Sequence, residues 1–210
     1  MSLLNFHVGN DRVILCVDTA VCHTSGARYE HSKMIPLLHA NVVFALRGHL
    51  KLLEHVFSES LWFAADFDSL TAKAPTVLRT AWDHMASKFK QEGLADSLIN
   101  HPNDVVIAGW SAERERMDAK LYEVGPESIR TTATPWCVAP FQPFREPLNP
   151  PSSQAAMLSI ARRQADWIKA NWTSVGGHIG GEPPGNNRLL VAELTRESLR
   201  VDSLDFLSDV

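Results

Sequence analysis

The strongest constraint on the fold is the order in which the hydrophobic period changes along the chain. Leu3 to His7 and Val13 to Val17 are short apolar runs separated by Gly9-Asn10-Asp11, a hairpin with turn residues in place. A second strand pair is expected over Lys33 to Leu38 and Val42 to Leu46, around Ala40-Asn41. From His49 the period becomes helical, with Leu50, Leu53, Val56 and Phe57 on one face. A second helix is expected from Pro75 to Lys90. Pro75 suits a first helical position, Leu78, Trp82, Met85 and Phe89 form its apolar stripe, and Gly93 is its stop. Strands return at Asp104 to Gly109 and Ala119 to Val124, joined by a charged turn at residues 113–116. Pro135 to Pro151 reads as a long ordered loop and Ser153 to Trp172 as a third helix carrying Met157, Ile160, Ala161, Gln164 and Ile168. Arg188 to Leu194 and Leu199 to Leu204 form a closing hairpin turning at Thr195-Arg196-Glu197. Runs of strands separated by helices fit a layered α+β domain spanning residues 1–210 better than a doubly wound α/β sheet.

Composition narrows the function classes. At 45% hydrophobic and 21% charged residues, the 210-residue chain can bury a sizeable core. A net charge of −4 argues against nucleic acid or an anionic membrane as the main partner. No run approaches the roughly 20 apolar residues of a membrane span, and the opening residues lack the basic head and apolar stretch of a secretory signal. The three cysteines, Cys16, Cys22 and Cys137, lack C-x-x-C spacing and are odd in number, which points to a reducing, cytoplasmic setting. His7, His23, His31 and His178 have no zinc-ligand spacing, so neither a metal nor a cofactor is expected. Gly176-Gly177-His178-Ile179-Gly180-Gly181 lacks the lysine and hydroxyl of a phosphate loop and reads as a plain loop. Cys16 lies within an apolar run and reads as core, and the tryptophans read as packing or subunit-interface residues.

One constellation carries chemistry. Removal of Met1 would make Ser2 the N-terminus, placing a hydroxyl nucleophile and an amine base on one residue. An α-amine has an ordinary pKa of about 8, and a nearby ammonium pushes it toward its neutral, basic form. Lys33 can supply that ammonium, and a buried lysine needs an anion such as Asp18 beside it.

Strand, turn and strand ending at Val17-Asp18-Thr19, then Ser32-Lys33, then an apolar strand ending in Arg47-Gly48, resembles the proteasome β subunits and the related bacterial heat-shock protease subunit. The resemblance covers residues 2–57 best. It extends to the central hairpin containing Asp104-Val105-Val106-Ile107-Ala108-Gly109-Trp110 and to the closing hairpin. It implies a four-layer αββα sandwich of the N-terminal nucleophile hydrolase type. Ser2 falls at the nucleophile, Asp18 at the aspartate that closes the second strand, Lys33 at the lysine opening the third strand and Gly48 at the glycine that donates its N–H to the oxyanion. Asn171 stands where the family has a later aspartate, with Ser174 at the spacing of its second serine. Two departures stand out: Thr19-Ala20 follows Asp18, and no serine lies near Ala139-Pro140-Phe141, where the family has a Gly/Ser-rich loop. By resemblance, the partners are further copies of the chain in a ring, a peptide or protein substrate and an ATPase unfoldase.

These residues leave three functional readings open. The first is a hydrolase of peptide amide bonds using Ser2. The second is a ring or scaffold subunit that keeps the sandwich without the chemistry, and the third is a small-molecule amidohydrolase on the same fold.

Overall fold

A computed structural model describes residues 2–22, 28–60, 65–101, 103–140, 143, 149–171 and 188–205 of the chain. The opening hairpin is β1 (Leu4–Val8) and β2 (Arg12–Asp18), turned where Gly9 N–H donates to Arg12 O at 2.8 Å. A short ribbon follows, β3 (Ala20–Cys22) with β4 (Arg28–Glu30), and then β5 (Met34–Leu37) and β6 (Val42–Arg47). Helices α1 (Leu50–Ser60) and α2 (Phe67–Gln91) and the short α3 (Asp96–Ile99) precede the central hairpin β7 (Asn103–Ser111) and β8 (Arg116–Val124). Next come β9 (Ile129–Thr132), β10 (Trp136–Ala139), α4 (Gln154–Ala170), and the closing hairpin β11 (Arg188–Thr195) and β12 (Leu199–Asp205).

The strands form two five-stranded antiparallel sheets, one ordered β10-β1-β2-β11-β12 and the other β5-β6-β7-β8-β9. Period-two alternation divides their side chains among three apolar interfaces. Phe6, Leu15, Val17, Val43, Ala45, Val106 and Ala119 fill the space between the sheets. On the outer face of the second sheet, Phe44, Leu46, Val105 and Ile107 pack against Leu53, Leu70, Leu78 and Met85 of α1 and α2. On the outer face of the first, Ile14, Cys16 and Val191 pack against Met157, Ala161 and Ile168 of α4. The result is the expected four-layer αββα sandwich. Burying a side chain such as Phe6 in it contributes about 1.5–3 kcal/mol.

A pair of amides registers α4 on its sheet. Asn5 and Gln164 are both fully buried, and each side-chain amide donates to the other, at 2.8 and 3.1 Å. Ala139 N–H at the end of β10 also donates to Asn5 Oδ1 at 3.1 Å, and Gln164 Nε2 donates to the O of Pro140, just past that strand, at 2.9 Å. An unpaired buried amide is costly, so α4 cannot slide along the sheet without breaking this set.

Three expectations need correction. Pro75 does not open the second helix. The helix begins at Phe67, where Asp66 and Ser69 form a capping box, and Pro75 lies inside it. Proline lacks the N–H that would reach the carbonyl four residues back, Thr71 O. The hydroxyl of buried Tyr122 donates to that carbonyl instead, at 3.4 Å, so the second sheet compensates for the missing helical bond. The segment from Pro135 to Pro151 contains strand β10, which pairs with β1 as an edge strand, and proline flanks are tolerated at an edge. The strand expected from Lys33 to Leu38 is shorter, because Leu38–Ala40 form a 3-10 turn closed by Asn41 in the left-handed region (φ 48°). Other expectations hold: Gly93 follows α2 with φ 76°, and the charged stretch at 113–116 is exposed, with residues 112–115 forming the turn and Arg116 opening β8. Trp172 and the glycine-rich stretch 176–181 lie outside the described residues.

Replacing Tyr122 by Phe should cost about 1–2 kcal/mol in chemical denaturation by orphaning Thr71 O. In the Pro75→Ala background, where the helix can supply that donor, the cost of Tyr122→Phe should shrink toward zero, which a double-mutant cycle measures.

Candidate active site

Ser2, Asp18 and Lys33 meet where the two sheets adjoin. Asp18 is the last residue of β2 in one sheet, and Lys33 immediately precedes β5 at the edge of the other. Lys33 Nζ donates to Asp18 Oδ2 at 2.7 Å and to Ser2 Oγ at 2.9 Å. The side chains of Lys33 and Asp18 are only 3% and 5% exposed, so water contributes little to holding either charge. Asp18 Oδ1 accepts the backbone N–H of Leu3 at 2.6 Å. One carboxylate therefore fixes both the lysine and the backbone next to Ser2, and the charged hydrogen bonds offset part of the desolvation cost.

Thr19, a residue without a motif to mark it, secures this corner. Its hydroxyl donates to Arg188 O at 3.2 Å and accepts from Arg188 N–H at 3.1 Å, while Thr19 O accepts the His31 N–H at 2.9 Å. The end of β2 is thereby tied both to the start of β11 and to the segment leading into Lys33. The composition signal was faint, since a threonine after a strand-end aspartate has many structural uses.

Gly48 lies at the same end of the second sheet. Leu46 N–H donates to Lys33 O at 2.9 Å. Gly48 directly follows Arg47, the last residue of β6, two residues on from Leu46. Gly48 has φ 142°, a conformation that favours glycine, and a Cβ there would lie 2.2 Å from Asn103 Oδ1. Asn171 is the C-cap of α4, with its backbone N–H and Nδ2 donating to Trp167 O at 3.0 and 2.9 Å. Ser174, Met1 and Phe141 lie outside the described residues.

Other chemistry-bearing groups are placed elsewhere. Burial pushes the Cys16 thiol up to about 12. Burial, followed by the negative charge of Asp104, pushes Cys137 up to about 11. Thiolate is the nucleophilic form, so neither is suited to attack near neutral pH. Asp104 itself pairs with Arg47 at 2.6 Å, an ion pair without a signal in the sequence pattern. Among the described residues no three His, Cys, Asp or Glu side chains converge as a metal site requires. No helix among them is long and apolar enough to cross a membrane.

The layer order is that of the proteasome-like fold. Comparison of folds matches the chain to the Anbu (Gly-1) mutant from Hyphomicrobium sp. strain MC1, with a TM-score of 0.57 over 97% of this chain and 88% of that one. Identity in that match is 12%, so the likeness is one of fold alone. No family model matches the chain, and no curated protein matches it in sequence.

Removing one member of the buried pair strands the other. Lys33→Ala or Asp18→Ala should each cost about 3–5 kcal/mol in denaturant unfolding, and the double replacement Asp18→Leu/Lys33→Met clearly less than the sum of the singles. In the folded protein at pH 8, Cys16 and Cys137 should resist alkylation by iodoacetamide, and both should react once the chain is unfolded, as read by peptide mass mapping.

Proposed function

We propose that the protein is an N-terminal nucleophile hydrolase that cleaves amide bonds in peptides, with Ser2 as nucleophile once Met1 has been removed. The observation carrying this reading is the contact of Lys33 Nζ with both Ser2 Oγ and Asp18 Oδ2, at 2.9 and 2.7 Å.

The mechanism follows from the chemistry of those groups. The Ser2 hydroxyl proton passes to the Ser2 α-amine, directly or through one water, as Oγ bonds to the scissile carbonyl carbon. Lys33 stabilises negative charge developing on Oγ and, by like-charge repulsion, keeps the amine in its basic form. Asp18 orients Lys33 and holds the Leu3 N–H. The Gly48 N–H donates to the carbonyl oxygen as it becomes an oxyanion. Collapse breaks the C–N bond, the leaving amine takes the proton from the α-ammonium, and an ester remains on Ser2. Water, deprotonated by the same amine, hydrolyses that ester and restores the hydroxyl.

The ring of like subunits, the protein substrate and the ATPase partner belong to this proposal through the resemblance of residues 2–57. The scaffold reading is favoured by two features: Asn171, which caps α4, stands where the family has a carboxylate, and no serine lies near Ala139-Pro140-Phe141. Turnover of fluorogenic peptide amides decides between them. Ser2→Ala should lower kcat by at least about three orders of magnitude with the fold intact. Equal turnover by wild type and Ser2→Ala, or no turnover by either, would favour the scaffold.

A further inference from the structure

We infer that Asn103 is a positioning residue for oxyanion stabilisation: its side chain fixes the backbone at Gly48-His49 so that the Gly48 N–H faces the reacting carbonyl. The inference rests on the hydrolase reading above and adds a residue that neither the sequence pattern nor the resemblance marks.

The geometry begins with strand register. The β6–β7 ladder ends with Arg47 opposite Asp104, so the next pair in register is Gly48 opposite Asn103. Backbone pairing does not continue there. Asn103 Oδ1 accepts the N–H of His49 at 2.7 Å. Asn103 Nδ2 donates to His101 O at 3.0 Å, which fixes the orientation of the amide. The side chain is fully buried, and both ends of its amide are engaged. A backbone-to-side-chain bond thus replaces the ladder bond, and the chain turns away at Gly48 into α1, which starts at Leu50.

Steric contact adds to the bond. A Cβ on Gly48 would lie 2.2 Å from Asn103 Oδ1, 2.8 Å from its Cγ and 3.0 Å from its Cα. Asn103 therefore packs directly against the Gly48 Cα, and the φ of 142° is held from both sides, by contact at Cα and by the hydrogen bond at His49. On the other flank, the Leu46 N–H to Lys33 O bond sets the peptide planes leading into Gly48. An oxyanion donor is useful only if it is fixed before charge develops, and a displacement near 1 Å can cost about a hundredfold in rate. A residue that fixes it should therefore act on kcat and leave ground-state substrate binding little changed.

The test compares two reactions of Ser2. Hydrolysis of a fluorogenic peptide amide passes through a carbonyl oxyanion. Addition to a peptide vinyl sulfone does not: Oγ bonds to the alkene carbon β to the sulfone, and the proton passes to the carbon beside the sulfone. Asn103→Leu removes the acceptor at similar volume, and Asn103→Ala removes it with space left, in case leucine prevents folding. Each should lower kcat about a hundredfold, with KM little changed and vinyl sulfone labelling of Ser2 close to the wild-type rate. Asn103→Asp, which keeps an acceptor opposite the His49 N–H, should recover a substantial part of kcat. The positioning role is overturned if the variants keep full kcat, if labelling falls in step with hydrolysis, or if Asp behaves like Ala. Wild-type protein that neither labels nor hydrolyses would instead overturn the hydrolase reading beneath it.

Discussion

The buried ion pair between Lys33 and Asp18 is the interaction on which the rest of the site depends. Asp18 ends a strand of one sheet and Lys33 immediately precedes an edge strand of the other, so the pair forms only when β2 and the start of β5 are brought together. Removing two charges from water costs several kcal/mol each, and their attraction offsets that cost only when the remaining hydrogen-bonding capacity is also used. Asp18 uses it on the Leu3 N–H, and Lys33 on the Ser2 hydroxyl. The same bonds that make the pair tolerable therefore seat Ser2. Stability and the seating of Ser2 are coupled at one point, since any shift of the sheets that parted the pair would also release the Ser2 hydroxyl.

Around that point, polar groups buried in an apolar sandwich set the registers. Asn5 and Gln164 lock α4 and β10 to β1, and Thr19 ties the end of β2 to β11. Tyr122 supplies the donor that Pro75 lacks. On the rim, the side chain of Asp68 in the first turn of α2 accepts from the Ser111 hydroxyl at 2.7 Å and the Glu113 N–H at 3.1 Å, holding the central hairpin turn. Apolar area drives the layers together without direction. Directional bonds, each costly to leave unmade, then select one arrangement among many that bury similar area.

The legibility of these features follows from their range in sequence. The hairpins β1–β2, β7–β8 and β11–β12 could be read because strand, turn and strand are contiguous and their alternation is local. The start of α2 could not. Pro75 looked like a first helical residue because the donor that replaces its missing bond, Tyr122, lies 51 residues from Thr71 and further along the chain, and the Asp66-Ser69 box lacks the usual Glu or Gln at its third position. Strand β10 has only four residues between prolines, too few to display a period, and it exists because β1 offers it an edge. Ser2, Asp18, Lys33 and Gly48 were readable as a spaced set. Asn103 and Thr19 were not, because each acts through backbone groups that carry no side-chain signature.

The claim at the centre of this account is that Ser2 presents a hydroxyl and a free amine to the Lys33–Asp18 corner. The intact mass of the purified protein tests it most directly. A mass lower than that of the full sequence by one methionine residue is the expected result, leaving Ser2 with both its nucleophile and its base. A mass that retains Met1 would contradict the account, because the α-nitrogen of Ser2 would be an amide unable to take the hydroxyl proton.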